Sequence, residues 1–433
     1  EFTMKKDHEE ARHIAEESMV LLKNADDILP LKASEKVAFI GGFAKKPRFQ
    51  GGGSSHINCF KVTNAFDSVP SDAQVIYAEG FPADRVLYDD TLAAEALKTA
   101  GNADKVVIFA GLPDSFESEG YDRSHMRLPE CQNRLIAEIL KVQPNAVIVL
   151  HNGSPVEMPW LSDVKGLLEA YLGGQAGGAA VANILYGKVN PSGKLAETMP
   201  LKLADNPSYL NFGGGEKVEY REGVFVGYRY YDTKEMEVAF PFGYGLSYTS
   251  FAYDNLRISS VNPTEKDTVT VSVDITNTGN VAGKEIVQLY VKDLTGSAIR
   301  PVKELKGFEK ISLNPGETKT VTMTLDNRSF AWYHTGIHDW FVASGDYEIL
   351  IGASSRDIRL SETIHMNSSQ EIPMHIHMNT TLGELFRNPK TADTAKDLTK
   401  KYLLSLNGGV ETASEDASEA ISEEMTQAMT DSM

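Results

Sequence analysis

Short apolar runs alternate with helical patterns through the first half of the chain. Each run is hydrophobic on both faces, and the intervening stretches at residues 92–99 and 129–142 have the spacing of amphipathic helices. Strands that are apolar on both faces and alternate with helices are typical of a mainly parallel sheet flanked by helices. The predicted strands are residues 37–40, 75–77, 106–109, 147–150 and 166–171. The first half is therefore predicted to be an α/β sandwich.

The hydrophobic period changes to two near Tyr253. Residues 268–276 alternate polar and apolar side chains, as a half-buried antiparallel strand does. Similar runs follow at residues 285–292, 302–311, 318–325 and 345–351. Strands at this spacing, with turn signals between them, predict an all-β, immunoglobulin-like sandwich of about 110 residues.

Domain boundaries are predicted from these two patterns. The expected order is an α/β sandwich over residues 1–205, an ordered linker over 206–252, the all-β sandwich over 253–366 and an acidic tail over 367–433. A first helix is predicted over residues 8–23, with Asp7 as its N-cap. The tail is predicted to form short helices at 381–385 and 396–406 and to be mobile over its final acidic stretch.

The chain is acidic, with a formal net charge of −18. That charge argues against nucleic acid and anionic membranes as partners, because both attract basic surfaces. The two cysteines, Cys59 and Cys131, lack the spacing of a metal site and are predicted to be free thiols in a reducing compartment. No apolar run is long enough to span a bilayer, and no signal peptide is visible. We therefore expect a cytoplasmic protein without a metal or a cofactor.

Three loops follow predicted strands, at the edge where a parallel sheet gathers ligands. The first, residues 41–58, contains three glycines at 51–53 that would let backbone N–H groups approach a ligand closely. It lacks the Walker spacing and the dinucleotide fingerprint, which disfavours a nucleotide-binding, flavodoxin-like protein. Its polar side chains are Arg48, Gln50, Ser54, Ser55, His56 and Asn58. These suit hydroxyl groups better than phosphates, although a flexible surface loop is the competing interpretation.

The second loop, residues 116–129, follows a predicted buried strand and has three acidic residues within six positions, Glu117, Glu119 and Asp122. A carboxyl group at this place can donate a proton, attack as a nucleophile or bind a metal. Gly120 allows a sharp turn, which would project Glu119 into a cleft. The competing interpretation is an exposed acidic turn in which Asp122 pairs with Arg123.

The third loop, residues 151–157, is predicted to be a strand-to-helix turn rather than a site. Ser154 would cap a helix that has Pro155 at its first position. The sequence contains neither a Gly-x-Ser-x-Gly elbow nor a catalytic Cys/His pair, so serine or cysteine nucleophiles are not expected.

Six segments in unbroken order carry a resemblance to a known family. They are ARHIAEESMVLLKN (11–24), RFQGGGSSHIN (48–58), FESEGYDRSHMRLP (116–129), VNPSGKLAETMP (189–200), VFVGYRYYDT (224–233) and FPFGYGLSYTSF (240–251). Together they resemble the carboxyl-terminal half of a family 3 glycoside hydrolase, the β-glucosidase group. PVKELKGF (301–308) and LNPGE (313–317) resemble the fibronectin type III-like domain of that family. The resemblance spans roughly residues 8–365.

The resemblance implies a retaining glycosidase whose acid/base is a Glu on an α/β-sandwich loop and whose nucleophile is an Asp on a barrel. The family's Glu-Gly-Tyr-Asp-Arg pattern matches residues 119–123, so Glu119 is the implied acid/base and Glu117 the runner-up. Arg48 and Gln50 are implied to approach the sugar. In such an enzyme Arg123 is expected to pair with Asp122, because a cation beside Glu119 would oppose the raised pKa that a proton donor needs.

The sequence departs from the family pattern because it contains no barrel. It is expected to be a fragment, one subunit of a split enzyme or a permuted enzyme, and to be inactive alone. The implied partners are a β-linked oligosaccharide or aryl glycoside and the missing barrel domain, with no nucleic acid and no membrane, and a homodimer is left open. The rival interpretation is a non-catalytic module that binds sugars or another protein.

Overall fold

A computed structural model describes residues 3–84, 86–213 and 215–406. The described residues up to Gln370 form one compact unit, and those from Glu371 form a second. The first unit holds a six-stranded sheet with its helices and, after a linker, a β-sandwich. The predicted fold class is therefore confirmed, whereas the predicted domain boundaries stay a prediction.

The six-stranded sheet is parallel except at one edge. Its strands are β1 (Val20–Asn24), β2 (Lys36–Ile40), β3 (Gln74–Ala78), β4 (Lys105–Gly111), β5 (Ala146–His151) and β6 (Gly166–Glu169). They lie in the order β1-β6-β5-β4-β2-β3. The edge strand β1 pairs antiparallel with β6, and the other four pairings are parallel.

Alternate residues of the central strands belong to two cores, one on each side of the sheet. On β4, Val106 and Ile108 lie in one core, and Val107 and Phe109 lie in the other. The helices are α1 (Met4–Ser18), α2 (Asp90–Gly101), α3 (Glu130–Val142) and α4 (Gly177–Leu185). Helices α2 and α3 contribute side chains to the first core, and α1 and α4 to the second. Because both faces are buried, these strands have no polar face, and their sequences are continuous apolar runs.

The linker and the sandwich follow in chain order. They comprise β7 (Met199–Pro200), α5 (Tyr228–Thr233), β8 (Val238–Phe240), β9 (Phe251–Ile258), β10 (Val269–Asn277), β11 (Gly283–Asp293), β12 (Glu304–Leu313), β13 (Thr318–Leu325), α6 (Asn327–Phe330), β14 (Trp332–His334), β15 (Asp339–Phe341), β16 (Gly345–Gly352) and β17 (Ile358–Met366). The sandwich sheets are β13-β10-β9 and β12-β11-β16-β17. Their inward residues form a third core, and the ion pair Lys194–Glu285 (3.0 Å) joins the sandwich to the segment that follows α4.

Three local predictions are wrong. The helix expected over residues 8–23 begins at Met4, with Thr3 rather than Asp7 at its N-cap position. It ends at Ser18, because the buried run that begins at Val20 pairs with β6 as an edge strand. No helix begins at Ser154 either: residues 152–165 form bends, a turn and an isolated β-bridge at Glu157. The Ser154 hydroxyl donates to Glu117 instead of capping a helix. In the tail, α7 (Leu382–Arg387) and α8 (Ala392–Leu406) fall where helices were predicted.

The predicted mobile, acidic end of the tail lies outside the described residues. None of the helices that the structure does describe combines the length and the apolar character needed to cross a membrane.

Candidate active site

The candidate site lies at the carboxyl ends of neighbouring parallel strands. The loops after β2, β4 and β5 leave the sheet at the same edge, since these strands are parallel and adjacent in it. The loop after β2 contains Arg48 and the glycines at 51–53, and the loop after β4 contains Glu117 and Glu119. The three predicted loops therefore converge, as the topology of a parallel sheet requires.

Glu119 stands against the glycine-rich loop. Its Oε2 accepts a hydrogen bond from the backbone N–H of Ser54 at 2.8 Å. Gly53 has a φ of +82°, and a Cβ built on it would lie 2.6 Å from Glu119 Cβ and from Oε2. A side chain at position 53 is thus excluded by backbone conformation and by space. The glycines let the two loops touch.

The Glu119 side chain is exposed, so its carboxyl group is accessible from outside the protein. Gly120 follows it with a φ of +92°, in the left-handed region that favours glycine, so the chain turns sharply beside the carboxyl group. The hydrogen bond from the Ser54 N–H holds the pKa of Glu119 below its ordinary value of 4.5. In this structure the group is therefore a carboxylate at neutral pH.

Glu117 is anchored rather than free. Its side chain is 19% exposed, and its Oε2 accepts from Arg48 Nη1 at 2.6 Å and from the N–H of Gly153 at 2.8 Å. Its Oε1 accepts from the Ser154 hydroxyl. Burial raises its pKa, but the hydrogen bonds from Ser154, Gly153 and Arg48 outweigh burial, and the pKa is lowered. Both oxygens of the Glu117 carboxylate therefore accept hydrogen bonds from other residues of the protein.

Arg48 and Gln50 flank this anchor. The Arg48 side chain is 4% exposed, and it donates to Asp114 Oδ1 (3.2 Å), to the Leu112 carbonyl (2.9 Å) and to both the carboxylate and the carbonyl of Glu117. Four of its five N–H groups thus donate to described residues, and within the described part of the chain one Nη2 N–H has no such acceptor. Gln50 accepts from the N–H of Ile57 at 3.1 Å with its Oε1.

The expected Asp122–Arg123 pair is not formed. Arg123 Nη2 donates instead to Ser154 Oγ and to the Pro155 carbonyl, both at 2.9 Å. The guanidinium turns inward because Ser154, from the loop after β5, presents acceptors there, while Asp122 stays exposed. The alternative of a simple acidic surface turn closed by that pair is therefore not supported.

The sequence analysis did not identify two carboxyl groups near the site, one buried (Glu169) and one half-buried (Glu197). Glu169, the last residue of β6, is fully buried, and burial raises its pKa to about 8. Burial also raises the pKa of Glu197 to about 7, with a further contribution from the negative charge of Glu117. The available signal for Glu169 was a single acidic residue inside an apolar strand. Glu197 lies in an irregular segment without hydrophobic periodicity, and its one signal was its place in the segment 189–200 that carries the family resemblance.

Among the exposed carboxyl groups of this loop, Glu119 is the one that contacts the glycine-rich loop at residues 51–54, and it is the arrangement's candidate for proton transfer. In the described part of the chain, no group of three or more His, Cys, Asp or Glu side chains could hold a metal ion. Cys59 and Cys131 are free thiols, as predicted.

The chain was compared with known families and proteins. Residues 19–248 match the glycosyl hydrolase family 3 C-terminal domain, and residues 285–355 match a fibronectin type III-like domain. The chain is 52% identical over 413 residues to thermostable beta-glucosidase B of Acetivibrio thermocellus, a match that covers 94% of this chain and 55% of that protein. It is 46% identical over 370 residues to an exo-alpha-(1->6)-L-arabinopyranosidase of Bifidobacterium breve, covering 82% of this chain and 48% of that protein.

Among solved structures, the crystal structure of Bifidobacterium adolescentis GH3 beta-glucosidase superposes with a TM-score of 0.85 at 43% identity. The superposition covers 91% of this chain and 58% of that one. The chain thus spans about half the length of the curated relatives that it matches.

Proposed function

This chain belongs to glycoside hydrolase family 3, and on that premise we propose that it supplies the general acid/base, Glu119, of a retaining glycosidase acting on terminal β-D-glycosides. The observation that carries the proposal is the position of Glu119. Its carboxyl group projects, exposed, from the loop after a central parallel strand and touches the glycine-rich loop after the neighbouring strand.

The chemistry requires Glu119 to act twice. As an acid, it gives its proton to the glycosidic oxygen while the bond from that oxygen to the anomeric carbon breaks and a nucleophilic carboxylate bonds to the same carbon. As a carboxylate, it then takes a proton from water while the water oxygen bonds to the anomeric carbon and the ester to the nucleophile breaks. We place the nucleophile on a barrel domain outside the described residues, about 5–5.5 Å from Glu119.

The two steps make opposite demands on the pKa of Glu119. The Ser54 N–H, which lowers that pKa, favours the second step and opposes the first. A domain that covers the exposed side chain would remove water from it, and an ionised nucleophile would repel its negative charge. Both effects raise the pKa of a carboxyl group. Glu119 is therefore expected to become a proton donor only when the second domain closes the site.

Substrate contacts are assigned to the glycine-rich loop. Arg48 has one Nη2 N–H left after its four protein contacts, and Gln50 uses its Oε1 on Ile57, which leaves its amide N–H groups for sugar hydroxyls. The proposal does not specify which sugar occupies the glycone position, because the named relatives include both a beta-glucosidase and an arabinopyranosidase.

The experiment uses a hybrid enzyme, in which this chain replaces the matched half of the Acetivibrio thermocellus protein. Replacing Glu119 with Ala should slow the hydrolysis of aryl β-glucosides that have poor leaving groups by about 100-fold or more, because a general acid contributes about 10²–10⁴-fold. Glucosides with 2,4-dinitrophenol as the leaving group need no proton and should be cleaved in the first step at a nearly unchanged rate.

Asp122→Ala is the matched control, because it removes an exposed carboxylate three residues away in the same loop. Its rate relative to the unmodified hybrid should be the same for all leaving groups. An equal loss for Glu119→Ala across all leaving groups would contradict an acid role. It would favour a module that only binds sugars or protein.

A further inference from the structure

A single hydroxyl group holds both sides of the turn that carries Glu119. Ser154, in the loop after β5, donates to the Glu117 carboxylate on one side of the turn and accepts from Arg123 on the other. Between these two points, the described part of the chain adds the hydrogen bond from the Ser54 N–H to Glu119 and one from the Tyr121 hydroxyl to the Asp114 carbonyl, each at an exposed position. Glu117, Ser154 and Arg123 are called the clamp below.

The clamp is fixed to the rest of the sheet edge from two directions. Arg48, in the loop after β2, holds the carboxylate and the main-chain carbonyl of Glu117, at 2.6 and 2.8 Å. The N–H of Gly153, in the loop after β5, holds the same carboxylate at 2.8 Å, and Arg123 reaches the Pro155 carbonyl. The ends of three neighbouring strands are thereby tied to one short turn.

Glu119 has little to fix its own position. Its side chain is exposed, and the hydrogen bonds that it accepts from the described residues all come from Ser54. A proton donor must nevertheless stand within about 0.5 Å of its productive position. The rigidity has to come from the backbone on either side, which the clamp holds.

We propose that Glu117, Ser154 and Arg123 are positioning residues for Glu119, acting by fixing the turn between residues 117 and 123; this inference rests on the proposed function of Glu119. They do not touch the reacting atoms. Glu117 in particular is a support, although it was the runner-up for the catalytic role, because its oxygens accept from three protein donors.

The test compares Ser154→Ala with Ser154→Thr. The alanine removes the shared hydroxyl, and the threonine restores it with one added methyl group. In the 433-residue chain, hydrogen–deuterium exchange of peptides over residues 113–124 should be about 5-fold faster or more in Ser154→Ala, since losing one hydrogen bond changes an opening equilibrium by about that factor. The exchange rate should return toward that of the wild type in Ser154→Thr. Exchange in the β-sandwich serves as the internal control and should not change.

In the hybrid enzyme, Ser154→Ala should lower kcat by about 10- to 100-fold with poor leaving groups and change KM little, because misplacing a catalytic group by about 1 Å costs a factor of that size. Ser154→Thr should recover most of that loss. Arg123→Gln loosens the same turn from the other side, and it provides a second variant if Ser154→Ala does not fold.

Unchanged exchange over residues 113–124 in both Ser154→Ala and Arg123→Gln would overturn the clamp, whatever the kinetics show. Failure of the proposed function has a different signature: Glu119→Ala would lose activity equally for all leaving groups, while the exchange result would still stand.

Discussion

The protonation of Glu169 gives a prediction whose size follows from the structure. The side chain is fully buried, its Oε1 accepts from the Tyr171 N–H at 3.0 Å, and its Oε2 accepts from Asn152 Nδ2 at 3.2 Å. Within the residues that the structure describes, no cation lies within 4.0 Å of it. Burial therefore dominates and raises its pKa from 4.5 to about 8, although the two hydrogen bonds oppose the shift.

A raised pKa in the folded state makes stability depend on pH. Between about pH 4.5 and 8 the folded protein holds the Glu169 proton, whereas the unfolded chain has lost it. The stabilisation from this group is thus complete below pH 4.5, and it is lost as the pH rises to 8. Between pH 4.5 and 8 each pH unit removes about 1.4 kcal/mol, so the rise of this pKa from 4.5 to about 8 corresponds to about 5 kcal/mol in all.

The measurement compares the wild type with Glu169→Gln, which is neutral at every pH. Urea unfolding at pH 5.5, 6.5 and 7.5 can be followed by the fluorescence of the buried Trp160, with Trp332 and Trp340 replaced by Phe. The free energy of unfolding of the wild type should fall relative to that of Glu169→Gln by about 1.4 kcal/mol per pH unit.

Glu119→Gln is the control for this comparison. The pKa of Glu119 is already lowered, so its stability difference from the wild type should stay constant over the same pH range. Parallel curves for the wild type and Glu169→Gln would refute the reasoning, because they would mean that Glu169 is ionised inside the folded protein.

Three further predictions concern the site. The 433-residue chain alone should not hydrolyse 4-nitrophenyl β-D-glucoside, and turnover by the purified chain would mean that the nucleophile lies within it. The pKa of Glu119, measured by carbon-13 NMR of the labelled carboxyl group, should be below 4.5 in the chain alone and above 4.5 in the hybrid enzyme. A value below 4.5 in both would contradict the expectation that a covering domain raises this pKa. Gly53→Ala should lower the free energy of unfolding by about 1–3 kcal/mol in thermal unfolding, because position 53 has a φ of +82° and adjoins Glu119. Gly101→Ala, which has open space around it, is the control and should not lower it. Equal stabilities for the two variants would count against the close approach of the loops.

The architecture could be predicted because strands buried on both faces leave a clear signal. The run from Val106 to Phe109 is apolar throughout, since its side chains enter two different cores, and the period of two after Tyr253 marks strands with one buried face. The edge strand β1 was not predicted, because Met19 and Leu22 continue the helical spacing of Ala11, Ile14 and Ala15 before them. Its pairing with β6 is made more than 140 residues away along the chain.

The site could be predicted only in part, for a similar reason. The convergence of the Glu119 loop and the glycine-rich loop follows from parallel topology, which the sequence indicates. The hydrogen-bond partners of Ser154 and Arg123 could not be predicted, because they lie on a loop about 30 residues or more away along the chain: Ser154 donates to Glu117, and Arg123 donates to Ser154 rather than pairing with its neighbour Asp122. The buried state of Glu169 likewise depends on neighbouring strands rather than on adjacent residues.

The configuration of an azide product tests the central claim about Glu119 most directly. In the Glu119→Ala hybrid, the activated 2,4-dinitrophenyl β-D-glucoside should still form the glycosyl-enzyme, whose slow hydrolysis lacks a base. Azide needs no base, and it should attack on the face from which the leaving group departed. Proton NMR should then show β-glucosyl azide, together with a faster overall rate. The α anomer would identify position 119 as the nucleophile, and the absence of any azide adduct or rate increase would contradict the assignment of Glu119 as the acid/base.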